Sequence, residues 1–588
     1  MCPAGATKLG QKLCTKEGPI VYPKQVLPDE AKWGPEMWNK NYRDDNPSVN
    51  CYDTGTAPCK SNCPAHIAVQ GYIRMAAEGR YMDTLKLIKK ENPFPAVCGH
   101  ICNRRCEQAC TCGSVDRAVA IDEIKKFIAE QELHADKRYV PKMLNQRNIP
   151  FTEKIAVIGA GPSGMACAYY LAEKGYPVTV FDRNPVPGGM LMLGIPSFRL
   201  EKEVVNAEIE ILREMGVKFQ CCVEVGKDVT IAQLREQGYR GFYVAISAQK
   251  SAAIRCPGET LMGVHGGVDF LRSVNLGEQP DVGKAVAVIG GGNVSIDVAR
   301  AALRLGAEKV YLVYRRGESE LKADREEIED ALAEGMELKL LRAPAEITGK
   351  DGKVGAIRLE VMELGEPDAS GSRKPVGTGE YETLDVNTVI GAIGQRVDWG
   401  ALFDGENVEL RKNGTSICDG LTLQTAQPDI FVGGDVATGP KFAIDAIAAG
   451  KEATISLHRY VHEGQSLTIG RNRRSYPELD KRNVALPTEC FDAPARQVPA
   501  ALSSAQARKT FRDPRCTFTE EQVKKEASRC LGCGVCTTKC EFDAIRLYRD
   551  HPEATKMIRS EDKMKAILPY MIKRAAKIKV KELRSKHS

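Results

Sequence analysis

The sequence predicts an α/β chain: two Rossmann-like dinucleotide-binding units, one nested within the other, set between two cysteine-rich ends. Three observations carry that expectation. The glycine-rich turn Gly159-Ala160-Gly161-Pro162-Ser163-Gly164 follows the apolar strand Ile155–Ile158 and opens a helix with Ala166, Tyr169 and Tyr170 at helical spacing. A second turn, Gly290-Gly291-Gly292-Asn293-Val294-Ser295, follows Val286–Ile289 and opens a helix carrying Ile296, Val298 and Ala302. Of the 21 cysteines, ten lie between Cys2 and Cys112 and five between Cys516 and Cys540, so the ends differ in chemistry from the middle.

A strand, a glycine turn and a helix place a phosphate at the helix N-terminus, where the backbone N–H groups point outward. The turn residues expected to cradle it are Gly159, Gly161, Pro162, Ser163 and Gly164 in the first unit. In the second they are Gly290, Gly292, Asn293 and Val294. The same pattern also reads as a helix packed tightly on a strand with no nucleotide, but the returning strands separate the two units. Val178–Phe181 is followed by Asp182 and Arg183, whereas Val310–Tyr314 is followed by Arg315 and Arg316. A carboxylate there accepts from a ribose 2′-OH, and arginines suit a 2′-phosphate. The first site therefore reads as FAD or NAD, and the second as NADP(H), with Lys322 assisting its arginines.

Two further segments favour FAD in the first site. Gly188-Gly189-Met190-Leu191-Met192-Leu193-Gly194-Ile195-Pro196 is an apolar, glycine-rich stretch. It reads either as a wall lying against a flavin ring or as a plain turn between elements. Gly433-Gly434-Asp435 closes a short apolar strand, and Asp435 is expected at the flavin's linker. The expected divisions are 1–150, a helical cysteine module; 151–282 and 396–465, the two parts of the FAD unit; 283–395, the NADP unit, ending in a strand that runs through Gly394; and 466–588, a linker and cysteine-bearing tail.

Composition narrows the function classes. At 588 residues the chain holds several domains. An apolar share of 43%, a charged share of 27% and a net charge of +6 describe an ordinary globular chain with no nucleic-acid signature. No apolar run reaches bilayer length and no secretory leader is visible, so a cytoplasmic location is expected. Residues from about 555 to 586 are lysine-rich with interspersed apolar positions. They read as a partner- or membrane-touching helix or, preferably, as a solvated face.

In reducing surroundings dense cysteines point to metal rather than disulfides. Cys530-x₂-Cys533-x₂-Cys536-x₃-Cys540 has bacterial ferredoxin spacing. Glu541 stands where that run has proline, so either Cys540, Cys516 or a cysteine from elsewhere closes the site, and a Cys₄ zinc site is the competing reading. Near the N-terminus, Cys51, Cys59, Cys63, Cys98, Cys102, Cys106, Cys110 and Cys112 are enough for two Cys₄ clusters. His66 and His100 read as packed or surface histidines.

These motifs, in this order, resemble the small subunit of NADPH-dependent glutamate synthase. They also resemble the N-terminal half of dihydropyrimidine dehydrogenase and the larger flavin subunit of electron-bifurcating NADH-dependent ferredoxin:NADP oxidoreductase. The resemblance rests on Cys51-x₇-Cys59-x₃-Cys63-Pro64, Cys98-Gly99-His100-Ile101-Cys102, Cys106-x₃-Cys110, both glycine turns, Gly189 through Arg199-Leu200, Tyr314-Arg315-Arg316 and Gly433-Gly434-Asp435. It implies FAD, NADP(H) and two N-terminal [4Fe–4S] clusters, one on Cys51, Cys59 and Cys110, the other on Cys63, Cys102 and Cys106. It also implies a cofactor-facing role for Arg199. The chain departs from the pattern at both remaining ligand places: Thr54 stands where the family has a cysteine and Lys125 where it has a Glu or Gln, so either Cys98, Cys112 or Glu123 substitutes or one cluster is altered or absent.

The expected function is hydride exchange between NADP(H) and FAD followed by single-electron transfer through two or three clusters. No dedicated catalytic acid or base is required. The leading expectation is a subunit of a bifurcating transhydrogenase or ferredoxin-linked complex, with ferredoxin and an NADH/flavin iron–sulfur subunit as partners. The alternative is a glutamate synthase small subunit. A thioredoxin-reductase-like enzyme is disfavoured, because no cysteine lies between Cys256 and Cys418 to supply a redox pair in the NADP unit. A non-catalytic assembly subunit is the remaining reading.

Overall fold

A computed structural model describes residues 57–530 apart from 115–116, 134, 136–137, 144–149, 369–372, 463, 470, 472–483 and 486–494, together with residues 14–15 and 18–19. Cys14–Thr15 (β1) pairs antiparallel with Gly18–Pro19 (β2) and with Val484–Ala485 (β18).

The N-terminal module is helical, as its apolar spacing predicts: Pro58–Ser61 (α1), Val69–Ala77 (α2), Tyr81–Lys89 (α3), Pro95–Ile101 (α4), Arg105–Gln108 (α5) and Ile121–Leu133 (α6). Proline at the first position of α1 and of α4 suits helix starts, where its missing N–H costs nothing. Tyr72, Ile73, Leu85, Ile88, Ile121 and Ile124 form the buried faces.

The first nucleotide unit holds a five-stranded parallel sheet. Its strands are Lys154–Ile158 (β3), Val178–Asp182 (β4), Lys218–Cys221 (β5), Tyr239–Val244 (β6) and Ile430–Val432 (β17), in the order β17-β6-β3-β4-β5. Pro162–Lys174 (α7), Met190–Leu193 (α8), Lys202–Glu214 (α9), Ile231–Glu236 (α10), Asp435–Thr438 (α14) and Ala443–Val461 (α15) surround it. The chain leaves this sheet through Lys250–Ser251 (β7) and returns through Gln395–Arg396 (β16). These two strands pair antiparallel, so the second unit is an insertion.

That second unit is also a parallel sheet: Val264–Gly266 (β8), Ala285–Ile289 (β9), Lys309–Tyr314 (β10), Met336–Leu340 (β11) and Thr388–Gly391 (β15), in the order β11-β10-β9-β15-β8. Gly267–Asn275 (α11), Asn293–Arg304 (α12) and Arg325–Ala333 (α13) pack with it. Arg342–Lys350 (β12), Lys353–Pro367 (β13) and Arg373–Asp385 (β14) form an antiparallel sheet, and Ile347, Ile357 and Leu359 cover Ala287, Ile289 and Val313. Because β8 pairs with β15, the second sheet begins upstream of residue 283, where the sequence reading started it. The strand is too short for its pairing to show in the pattern.

The tail returns to the start of the chain. Ser504–Ala507 (α16) and Glu520–Ser528 (α17) follow the linker, and Val523, Ala527 and Phe518 join the core shared by the cysteine module and the first nucleotide unit. A second tie is ionic. The Lys89 ammonium sits 3.2 Å from Glu132 and 3.7 Å from Glu208 of α9, with all three side chains buried. No helix among the described residues is long and apolar enough to cross a membrane.

Candidate functional site

The first glycine turn has the spacing that a phosphate requires. Gly159 sits at φ +108°, and a Cβ there would lie 2.4 Å from the Ala245 carbonyl oxygen. A Cβ on Gly164 would lie 1.9 Å from the Gly159 oxygen, so only glycine lets α7 close on the turn. Gly161, the residue preceding α7, faces open space, with nothing within 4 Å of a Cβ. Pro162 takes the first helical position. Two distant segments meet this helix start. Gly189, at φ +53°, packs with its missing Cβ 2.7 Å from Gly161 Cα, and Gly434 packs 3.1 Å from Ser163 Cβ. Asp435 follows, accepting from Ser247 Oγ at 2.7 Å and from the Lys441 N–H at 3.1 Å; burial raises its carboxyl above the ordinary range. Met190 and Gly194 bound the short helix α8 beside Gly189. Gly394 lies instead at the crossing between units, where its carbonyl accepts from the Ala252 N–H at 3.0 Å.

Next to the turn, an open pocket of ≈ 420 Å³ is lined by Gly159, Asp182, Arg183, Asn184, Gln249 and Trp399 among others. Asp182 is buried at its rim and accepts from the Ala160 N–H at 2.6 Å and from the Asn184 backbone and side-chain N–H groups at 2.8 Å. The carboxylate thus braces the turn as well as facing the pocket. The Asn184 side-chain oxygen is buried without a partner, and an adenosine ribose hydroxyl is the kind of donor that satisfies it. Arg183 lies between Glu224 and Asp398, 3.7 Å from each. The lining fits the adenosine end of FAD. Asn184 was invisible as a site residue in the sequence, where its only signal is its place two positions after Asp182.

The second turn repeats the first with different neighbours. A Cβ on Gly290 would lie 2.4 Å from the Ala392 oxygen and one on Gly291 2.5 Å from the Tyr314 ring, while Gly292 faces open space before α12. Tyr314 donates to the Glu320 carbonyl at 2.7 Å, and the Lys322 and Ala323 N–H groups donate to Gly291 O at 2.9 and 3.2 Å. The Asn293 side chain accepts from the Asp324 N–H at 2.9 Å. The loop that carries Arg315, Arg316 and Lys322 is thereby folded against the phosphate turn. None of these three cations makes an ion pair among the described residues, and Arg316 Nε is buried without a partner. Unpaired guanidinium beside a helix N-terminus fits the 2′-phosphate of NADP(H). Val294 follows as the second residue of α12.

Arg199 does not line that first pocket. Its guanidinium bonds both Asp297 oxygens, at 2.9 and 3.0 Å, and lies 3.5 Å from Glu327. Its neighbour Phe198 is buried in the core of the second unit, with the guanidinium of Arg304 4.0 Å and that of Arg300 5.0 Å from its ring centre. Lys202 ends the same segment. It donates to the carbonyls of Leu191, at 3.0 Å, and Ile195, and burial lowers its ammonium to about 7. The stretch from Gly189 to Lys202 therefore joins the segment beside the first glycine turn to the helix that follows the second.

In the cysteine module, Cys59, Cys63, Cys98, Cys106, Cys110 and Cys112 are buried and Cys102 is half-buried. Cys51 and Thr54, like Cys533, Cys536 and Cys540, lie outside the described residues. Cys110 is held at about 6 by a hydrogen bond from Cys112 and by the N–H groups of Val119, Cys112 and Gly113, against the upward push of burial. Such N–H donors are what a cluster thiolate needs. Cys112 also turns toward the Arg529 carbonyl, 3.1 Å from its sulfur. Cys98, Cys102, Cys106 and Lys125 act on one another electrostatically. Among the described residues no three His, Cys, Asp or Glu side chains close around a single ion. His100 is a packed residue, with Nδ1 2.8 Å from the Ala96 carbonyl.

Residues 153–450 match the pyridine nucleotide-disulphide oxidoreductase family, and residues 40–137 match the family described as dihydropyrimidine dehydrogenase domain II, 4Fe-4S cluster. The NADP(+)-dependent formate dehydrogenase subunit beta of Moorella thermoacetica is 37% identical over 505 residues, covering 81% of this chain and 70% of that one. The NADPH-Fe(3+) oxidoreductase subunit beta of Geobacter sulfurreducens is 32% identical, covering 82% and 75%. The glutamate synthase [NADPH] small chain of Escherichia coli is 34% identical, covering 70% and 90%. Among solved structures, FprA of Mycobacterium tuberculosis in complex with NADPH is 22% identical, covering 56% and 88%, at a TM-score of 0.46.

Proposed function

The chain belongs to the family of NADPH-dependent flavin iron–sulfur oxidoreductases that includes the glutamate synthase small chain, and from that premise we propose that it is the NADP(H)-side subunit of a larger cytoplasmic redox complex, delivering electrons through its cysteine modules to a partner. When bound, FAD exchanges a hydride with the nicotinamide and single electrons with the clusters. The protein's residues position these groups. Gly161 and Ser163 present α7 to the FAD phosphates, Asp182 and Asn184 take the adenosine, and Gly434 with Asp435 approach the linker. The second turn holds the NADP(H) pyrophosphate at Gly292 and Asn293, and Arg315, Arg316 and Lys322 take the 2′-phosphate.

The observation that carries the direction of this reading is the seat of the tail. Arg529 donates to the carbonyls of Arg117, at 2.7 Å, and Ala118, at 3.2 Å, and pairs with Glu526 at 2.7 Å. Glu526 accepts from the Ala120 N–H at 2.8 Å, and Cys530 packs against the core that includes Cys59, Cys106, Cys110 and Cys112. The ferredoxin-spaced motif therefore starts on the N-terminal cysteine module. A cluster on that motif lengthens the electron path beyond this module and supplies a contact for another redox subunit. The reading favoured on this ground is a transhydrogenase or ferredoxin-linked, bifurcating complex, with ferredoxin and an NADH/flavin iron–sulfur subunit as partners. Relatives named as beta subunits or small chains support the subunit role.

The second reading, a glutamate synthase small subunit, is favoured by the 90% of the Escherichia coli small chain that aligns with this one. Purification of the native complex under anaerobic conditions and identification of its partners tests both. An NADH/flavin iron–sulfur subunit is the expected result. An amidotransferase-bearing partner overturns it in favour of the second reading, and a formate dehydrogenase catalytic subunit overturns both.

A further inference from the structure

Phosphate, ribose and base follow one another along a dinucleotide, so fixing the first two limits where the third can lie. In the first unit the glycine turn takes the phosphates, and Asp182 with Asn184 takes the ribose. The base is left with the rest of the same pocket, whose lining includes Val223, Val225, Ile246 and Leu402 and two aromatic side chains, Phe181 and Trp399. Phe181 is 2% exposed and packs edge-on to Tyr239, with ring centres 5.9 Å apart. Trp399 is half-buried, so part of its indole remains open to a ligand.

That indole is held in place by contacts outside the pocket. Its Nε1–H donates to the Gly414 carbonyl at 2.8 Å, and its ring packs on Phe403 with centres 4.8 Å apart and planes at 34°. The backbone beside it is pinned as well. Gly226 has φ +98°, and a Cβ there would lie 2.6 Å from the Ala401 carbonyl carbon and from Leu402 Cα. Only glycine lets the loop after β5 press so closely on residues 401 and 402. Arg183 bridges the same two segments, 3.7 Å from Glu224 and 3.7 Å from Asp398. An aromatic plane fixed before the ligand arrives loses little freedom on binding, and every purine offers it a π face.

We propose that Trp399 is the platform on which the adenine of FAD stacks, while Asp182 and Asn184 hold the ribose. Trp399 is the third residue after β16, so one wall of the flavin cofactor's seat is supplied by the chain as it returns from the inserted NADP unit. The inference rests on the reading of this pocket as the adenosine end of the FAD site.

The test uses the full chain, freed of flavin under anaerobic conditions and titrated with FAD. Trp399→Leu keeps an apolar side chain and removes the ring. It is expected to weaken FAD binding about 5- to 150-fold, and Trp399→Phe to recover most of that loss. Unchanged affinity in Trp399→Leu, or an equal loss in Trp399→Phe, overturns the proposal. A second arm separates stacking from a purely structural role. With Trp33→Phe and Trp38→Phe, Trp399 is the sole tryptophan of the chain. ADP carries the base without the flavin and is expected to quench its emission as it competes with FAD. Emission unchanged by ADP overturns the proposal. Asp182→Asn distinguishes the two readings: if it weakens FAD binding and Trp399→Leu does not, the stacking alone fails. If neither variant weakens FAD binding, the pocket is not the adenosine seat and both readings fail.

Discussion

Arg199 and Asp297 meet through two hydrogen bonds, at 2.9 and 3.0 Å, and that contact joins the segment lying beside the first nucleotide turn to the helix that begins at the second. The Asp297 side chain is buried and that of Arg199 is 14% exposed, so removing the arginine leaves a buried carboxylate without its hydrogen-bond partner, a change that costs up to about 3–5 kcal/mol in comparable buried pairs. Arg199→Met is expected to lower stability by that order and to slow flavin reduction by NADPH more than it weakens NADPH binding. Stopped-flow bleaching of the flavin band, read against NADPH concentration, separates the two. A change in KM alone would show that Arg199 acts only on nucleotide affinity.

The unpaired cations beside the second turn give a specificity prediction. Hydrogen bonds to charged groups contribute about 1.5–3 kcal/mol each, which is roughly 10- to 100-fold in affinity. Arg316→Ala should raise KM for NADPH by that factor and leave KM for NADH nearly unchanged, with Arg315→Ala acting in the same direction. Steady-state kinetics with both nucleotides and one artificial acceptor decide the matter. Equal losses with NADH and NADPH would refute the assignment.

Gly450 is a packing prediction that the glycine turns do not announce. A Cβ there would lie 2.2 Å from the Ser163 carbonyl oxygen and 2.9 Å from the Cys167 nitrogen, both on α7. Gly450→Ala must push α15 away from the start of α7, at an overpacking cost of about 1–3 kcal/mol. Reduced FAD content and a lower Tm are expected. Retention of wild-type flavin content would show that the two helices have slack.

Lys202 predicts a pH dependence. Its ammonium is lowered to about 7 by burial, opposed by the Asp297 charge, whereas an unfolded lysine titrates near ~10.4. Between those values the unfolded chain binds more protons at this position, so the residue's contribution to stability rises with pH through that window and is least favourable below it. The wild-type advantage over Lys202→Met in denaturant midpoint should therefore grow from pH 7 to 9.5. A difference that is flat over this range would place the ammonium in an ordinary, solvated setting.

The tail's seat is testable in the same way. Glu526 is fully buried, paired with Arg529 and accepting from the N–H groups of Ala120 and Gln497. Glu526→Ala should expose the chain around residue 530 to limited proteolysis while NADPH still bleaches the flavin. Unchanged resistance would mean that the apolar contacts of Phe518 and Val523 hold the segment without the ion pair.

Both glycine turns, the contrast between Asp182 and Arg315 with Arg316, and the helical character of the cysteine module were legible in the sequence. Each is a local pattern, fixed by backbone sterics at the turn, by strand and helix period, or by the residue that ends a strand. The β8 strand was not legible, because three residues carry no period and their place in the second sheet depends on pairing with a strand more than a hundred residues away. Asn184, Phe198, Lys202 and Gly450 were equally silent. Their significance comes from an unpaired oxygen, a ring inserted in the other unit's core, two carbonyls and a helix crossing.

By itself the sequence carried the chemistries of the family, FAD, NADP(H) and an N-terminal iron–sulfur module, together with a ferredoxin-spaced cysteine run at the other end. The tertiary structure decided what they are joined to. It turned Arg199 to Asp297 and buried Lys125 in an ion pair with Asp122 inside the cysteine module. It also brought the start of the terminal cysteine motif onto the first module. The physical reason is that a local motif fixes its own backbone, whereas the partner of a buried charge or thiol is set by which distant element shares its dry interior.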